Sequence, residues 1–128
     1  MNQHKLEEIL RLHELWLVYD KEGEQADLTG ADLEKADLTD ADLTYANLTG
    51  ANLTGADLTN ASLCNADLTN ADLSNVNLRG AVLCSADLTG ANLTGANLKG
   101  TNLRGADLRG ADLTNVNLAD AYWTDAKL

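Results

Sequence analysis

From Ala26 onward the chain repeats one pattern every five residues. A small apolar residue is followed by a polar one, a large apolar one and two turn formers. The run opens Ala-Asp-Leu-Thr-Gly, Ala-Asp-Leu-Glu-Lys, Ala-Asp-Leu-Thr-Asp. It continues without insertion or deletion to Ala121-Tyr122-Trp123-Thr124-Asp125. Let the large apolar residue be i. Positions i−2 and i then share one face and i−1 lies on the other, which is strand alternation. Positions i+1 and i+2 carry mostly Thr, Gly, Asn, Lys or Asp, the chemistry of a turn. Each repeat is a very short strand followed by a corner. A period of five excludes a helix, whose apolar stripe would wander around the cylinder.

A chain that turns a corner every five residues must coil, and the coils must stack to pair their backbone groups. Spacings of 20 suggest four repeats per coil: Cys64 and Cys84, Arg79 and Lys99, Asn77, Asn97 and Asn117, and Asp67, Asp87 and Asp107. A coil of 15 residues would scatter these sets. On this register the inward leucines form columns, with Leu48, Leu53, Leu58, Leu63, Leu68, Leu73, Leu78, Leu83, Leu88 and Leu93 at mid-stack. Each buried leucine stabilises by about 1.5–3 kcal/mol.

The A(D/N)LXX run resembles the pentapeptide-repeat family over residues 26–128. The resemblance implies an all-β solenoid, a right-handed quadrilateral parallel β-helix with i and i−2 pointing inward. Twenty repeats would make about five coils, roughly 24 Å tall at ~4.8 Å per coil. The family also implies two functional classes. One is a non-enzymatic protein–protein interaction scaffold. The alternative is a DNA mimic that binds DNA gyrase or topoisomerase, as the quinolone-resistance members do. This chain departs from those members in having no insertion loop and no helix after its last repeat.

Residues 1–25 follow a different rule. Leu6, Ile9, Leu10, His13, Trp16 and Leu17 fall at helical spacing, with Asn2 as an N-cap and Gly23 just past the end. This segment is expected to be a capping helix and linker over the first coil, with 26–128 as the β-helix.

Composition then removes whole classes of function. Among 128 residues, 20 acids face 9 bases, a net charge of −11. That excludes direct nucleic-acid binding, which needs a basic face, and docking on an anionic membrane. No apolar run reaches the ~18 residues of a membrane span. With no secretory h-region, a cytoplasmic location is expected. The charge is uneven. Residues 26–75 hold nine acids and one base, whereas residues 76–128 hold five of each. Asp27, Asp37, Asp57 and Asp67 represent the acidic surface, a candidate for electrostatic recognition of a basic partner whose identity the sequence does not give.

Candidate chemistry is sparse. The only histidines, His4 and His13, are nine apart, which does not suit a metal pair on one helix face, and they read as surface or core-edge residues. Uniform corners leave no walled cleft for paired carboxylates. No catalytic residue, metal or cofactor is expected, and Asn47, Asn52, Asn60 and Asn92 match the glycosylation sequon only because the repeat writes it. Cys64 and Cys84 stack on adjacent coils with Cα atoms near 5 Å, inside the disulfide range. The expected cytoplasm and the parallel stacking nevertheless favour free thiols. Finally, Leu118, Tyr122, Trp123 and Leu128 leave apolar surface on the last coil, and a two-fold homodimer through that coil is expected.

Overall fold

A computed structural model describes all residues from Met1 to Leu128. One helix, α1 (Gln3–Leu17), precedes a run of single-residue parallel bridges. Asn2 caps α1, its Oδ1 accepting the Lys5 N–H at 2.8 Å. The helix stops sooner than Gly23 suggested. The Tyr19 N–H donates to the Trp16 carbonyl and the Asp20 N–H to the Leu15 carbonyl, each at 3.0 Å. This pair of bonds is a Schellman turn, and Tyr19 takes its left-handed position with φ 61°. Gly23 serves another purpose. A side chain there would collide with the backbone of Leu15 and Trp16. The glycine lets the linker fold back, and the Glu24 N–H donates to the Leu12 carbonyl at 3.0 Å.

Every bridge joins a residue to the one 20 positions on, from Asp27 with Asn47 through Asp107 with Lys127. Four pentapeptides therefore make a coil. Each "strand" is only long enough for a few ladder bonds. The Leu48 N–H donates to the Asp67 carbonyl at 2.7 Å, the Gly50 N–H to the Thr69 carbonyl at 2.9 Å, and the Asp67 N–H back to the Ala46 carbonyl at 3.0 Å. The corner closes when the Ala51 N–H donates to the Leu48 carbonyl at 3.0 Å. All twenty i+2 residues have φ between 56° and 74°, the third position of a type II-like turn. This explains the Gly and Asn content of that position.

The interior is a dry ladder. Leu48, Leu53, Leu58, Leu63, Leu68, Leu73, Leu78, Leu83, Leu88 and Leu93 are each at most 1% exposed, with Ala at i−2 between them except for Val76 before Leu78. Thr101 takes the place of one such alanine, and its buried hydroxyl donates to the Leu78 carbonyl at 2.7 Å. The two ends differ. Under α1 the leucines Leu28, Leu33, Leu38 and Leu43 are buried, whereas Leu113, Leu118 and Trp123 on the last coil are only partly covered and Leu128 is 78% exposed.

Candidate interaction surface

The outward residues of each repeat are organised by one local motif. Wherever i−1 is Asp or Asn, its Oδ1 accepts the N–H of residue i+1, at 2.9–3.2 Å, in all 17 cases. In ten of the eleven such corners with Thr or Ser at i+1, its hydroxyl donates to the same oxygen, as at Thr69 on Asp67 (2.6 Å) and Thr49 on Asn47 (2.7 Å). This is an Asx turn, which pre-sets the corner. Asp and Asn do the same structural work with the same atom. The fold therefore needs the oxygen and not the negative charge.

The bonds show in the carboxyl acidities. The hydroxyl and amide of Thr29 hold Asp27 below its ordinary value, and Thr114 does the same for Asp112 and Ser74 for Asp72. The Thr69 hydroxyl lowers Asp67. Asp107 is lowered most, to about 2, by the Arg109 guanidinium, whose Nε and Nη2 donate to the two carboxylate oxygens at 2.9 and 2.6 Å.

The four acids singled out from the sequence do not form one patch. Asp37 and Asp57 are bridge neighbours on one face. Asp27 and Asp67 share a different column and are separated by Asn47, with Asp87 and Asp107 following. Arg79 and Lys99 lie together on the Asp37–Asp57 face, in a shallow groove with Thr59, Asn60 and Asp120.

The face holding residues 41–45, 61–65, 81–85, 101–105 and 121–125 is the exception. Its i−1 column reads Asp42, Ser62, Val82, Asn102, Tyr122. Ser62 and Val82 make no Asx turn, and the i+1 residues of those two repeats are the cysteines. The expectation of free thiols is corrected here: Cys64 and Cys84 form a disulfide, with Cα atoms 4.8 Å apart. Direct stacking of parallel corners brings the pair within bonding range after all. The bond joins two adjacent coils at the corners that lack the Asx bond.

Above this face lies a feature that the repeat pattern could not show. The ring of His13 is fully buried. Its Nδ1 accepts the Ala26 N–H at 2.9 Å, so its Nε2 carries the proton and donates to the Thr44 carbonyl at 2.9 Å. His13 stacks on Trp16 at 5.5 Å, and Tyr45 meets Trp16 edge-on at 6.4 Å. Trp16, Leu17, Tyr19, Asp20 and Tyr45 line an open cleft of about 280 Å³ where α1 meets the first coil. The one sequence signal for this cleft was Tyr45, the single aromatic residue at an i+2 corner.

No group of three or more His, Cys, Asp or Glu side chains is arranged to hold a metal ion. No helix is long and apolar enough to cross a membrane.

Comparison with known proteins places this architecture. No curated protein sequence matches the chain. Among solved structures, a pentapeptide repeat protein from the cyanobacterium Cyanothece 51142 is similar, with 42% identity and a TM-score of 0.70. The match covers 72% of this chain and 63% of that one, so this chain spans somewhat less than two thirds of that relative. A pentapeptide repeat protein from the Arabidopsis thaliana thylakoid lumen shares 40% identity at a TM-score of 0.62, over 80% of this chain and 68% of its own. A pentapeptide repeat protein from Nostoc PCC 7120 shares 30% identity at a TM-score of 0.63, over 84% and 92%. Such proteins form right-handed quadrilateral β-helices. The family model for pentapeptide repeats matches residues 24–60, 46–83 and 91–128, and the chain belongs to the pentapeptide-repeat family.

Proposed function

We propose that the protein is a non-catalytic scaffold that uses its acidic half to recognise a basic protein partner. One observation carries this reading. The Asx turn is made by Asn and Asp with the same oxygen, so the negative charge of the i−1 carboxylates in residues 26–75 is not needed to form the corner. Fifteen acids and four bases lie in residues 1–75, against five of each beyond. The carboxylates stay solvated and each exposed repulsion is small, so the cost of carrying them is tolerable. A field of one sign over a rigid surface speeds and selects the encounter with a partner of opposite sign. Catalysis has no support from this surface, because the Oδ1 of each i−1 carboxylate is already engaged by its own corner.

The DNA-mimic reading requires negative charge along the whole rod. Arg79, Lys99, Arg104, Arg109 and Lys127 interrupt it. Screening over about 8 Å at physiological salt prevents the distant acids from compensating. We further propose a two-fold homodimer through the last coil, whose partly covered Leu113, Leu118 and Trp123 lie in the electrically neutral half.

The test is affinity capture at low and high salt, with the native chain and a variant carrying Asp→Asn at Asp27, Asp37, Asp57 and Asp67. The variant should keep the melting curve and lose a salt-sensitive partner. Retention of that partner by the variant would overturn the reading. Salt-sensitive inhibition of gyrase supercoiling, abolished in the same variant, would overturn it in favour of DNA mimicry.

A further inference from the structure

Two tyrosines in this protein stand where local conformation asks for something else. Tyr19 occupies the left-handed position of a Schellman turn, where glycine is the usual residue, with φ 61°. Tyr45 occupies an i+2 corner with φ 65°. The other nineteen corners use Gly, Asn, Asp, Ser or Lys. Tyr19 gains no burial in exchange, being 98% exposed, and Tyr45, 52% exposed, gains only an edge-on contact with Trp16. A bulky residue held at positive φ for so little packing points to a role outside the fold. Both tyrosines line the same cleft.

The rest of the cleft is fixed in place. The His13 ring covers one face of the Trp16 indole, and His13 is itself locked by its bonds to Ala26 and Thr44. Trp16, stacked on His13 and met edge-on by Tyr45, lines the opening. Tyr45 is anchored too: its N–H donates to the Cys64 carbonyl at 2.9 Å, and its carbonyl accepts from Gln25 Nε2 at 2.6 Å. Asp20 closes the rim, with Oδ1 accepting the Glu22 N–H at 2.8 Å. Three aromatic rings and one carboxylate thus line an open cleft of about 280 Å³, within the strongly acidic half of the protein.

We propose that this cleft receives an arginine side chain from a basic partner segment. A planar guanidinium stacks on indole and phenol faces, and its N–H groups match a carboxylate at the edge. A neutral apolar guest would leave Asp20 unused, and an anion would meet the acidic surroundings. The inference rests on the scaffold reading for its class of partner and adds the point of attachment.

The probes are three labelled nonapeptides of Gly, Ser and Lys that differ only at the centre: arginine, lysine or citrulline. Lysine keeps the charge and loses the plane; citrulline keeps the plane and loses the charge. Binding is read by fluorescence polarisation, and by emission of Trp16 in a Trp123→Leu background. The arginine peptide should bind on the order of tenfold tighter than either control. Tyr19→Gly and Tyr45→Asn install residues their turns favour, so folding is preserved, and each should remove most of that preference. Equal binding of all three peptides, or a preference unchanged in both variants, would overturn the proposal. The scaffold reading would survive that outcome, because its own test depends on Asp27, Asp37, Asp57 and Asp67, none of which lines the cleft.

Discussion

The buried imidazole of His13 accepts the Ala26 N–H, and Ala26 is the first residue of the first repeat. This single bond joins the helical cap to the start of the solenoid. The same ring donates to the Thr44 carbonyl, which belongs to the last repeat of the first coil. One side chain therefore closes the two ends of that coil. His13→Ala would strand a buried N–H and open a cavity, at a cost of about 2–4 kcal/mol. Amide exchange should show the loss first at Ala26 and Leu28, while amides near Leu73 stay protected. Unchanged exchange at Ala26 would show that the bond does not hold the cap.

The Asx turns give the protein an acid limit. Asp27, Asp67, Asp72 and Asp112 have folded values below the ordinary carboxylate value, and Asp107 lies at about 2. A carboxyl depressed in the folded state favours folding above its ordinary value. That contribution fades as pH falls through the folded value. The melting temperature should thus hold from neutral pH down to the ordinary carboxylate range and decline below it. Relief of charge repulsion near the pI of 4.3 works the other way and delays the decline. Asp→Asn at Asp67 and Asp72 keeps the hydrogen bonds and removes the titration, so the acid decline should be shallower in that variant. An identical decline in both proteins would refute the assignment.

How much of this was legible depends on the residue. The leucine columns could be read from the chain because a period of five admits no other inward set, and a 20-residue spacing fixed their register. The cap could be read as a helix from Leu6, Ile9 and Leu10. Its end could not, since Gly23 competed for the C-terminal signal and Tyr19 is a poor candidate for the left-handed position. His13 looked like one more member of a stripe, and its two backbone partners are 13 and 31 residues away. The cleft was hidden for the same reason, because it joins a helix to a corner that no local pattern links. The disulfide was misjudged because the reading took parallel stacking to hold the Cβ atoms too far apart and took the compartment to favour thiols, whereas the stacked corners bring the Cα atoms to 4.8 Å.

The Cys64–Cys84 bond closes a 20-residue separation, one whole coil. A loop of that length restrains the unfolded chain by about 3 kcal/mol. Cys64→Ser with Cys84→Ser should lower the melting temperature by roughly 10 °C, and a reductant should do the same to the native chain. Alkylation under native conditions followed by mass measurement gives the redox state directly. No mass gain without reductant is expected, and two alkyl groups after reduction. Immediate double labelling of protein taken straight from its cell would mean that its compartment is reducing and the bond forms only outside it.

The strain at Tyr19 and Tyr45 predicts that loss of function and gain of stability coincide. A non-glycine residue at positive φ costs about 1 kcal/mol or more, which glycine avoids. Tyr19→Gly should therefore raise the melting temperature even though it deletes a large side chain, because that side chain is 98% exposed. Leu73→Ala makes the opposite comparison. It removes a smaller side chain from the interior and should cost about 2–5 kcal/mol. A Tyr19→Gly variant less stable than the native chain would show that the ring packs on Trp16 more firmly than its exposure indicates.

The last coil offers the final test. The N–H groups of Leu113, Leu118 and Trp123 donate no hydrogen bond, and the carbonyls of Val116 and Ala121 accept none. Every equivalent group on the coil beneath is paired. An open ring of donors and acceptors around partly covered apolar side chains is a surface on which another copy can stack. A two-fold axis would bring the same coil from each copy together. Charge permits this only at this end, since five acids balance five bases in residues 76–128 while the opposite half repels its own kind. Sedimentation velocity should give twice the 13.6 kDa chain mass at micromolar concentration, with little dependence on salt. Trp123→Asp, which places a charge in the centre of the seam, should restore the single-chain mass, with the melting transition retained because Trp123 is only partly covered in the isolated chain. A native protein that sediments as one chain at high micromolar concentration, or a Trp123→Asp variant that still pairs, would show that this coil is not the seam.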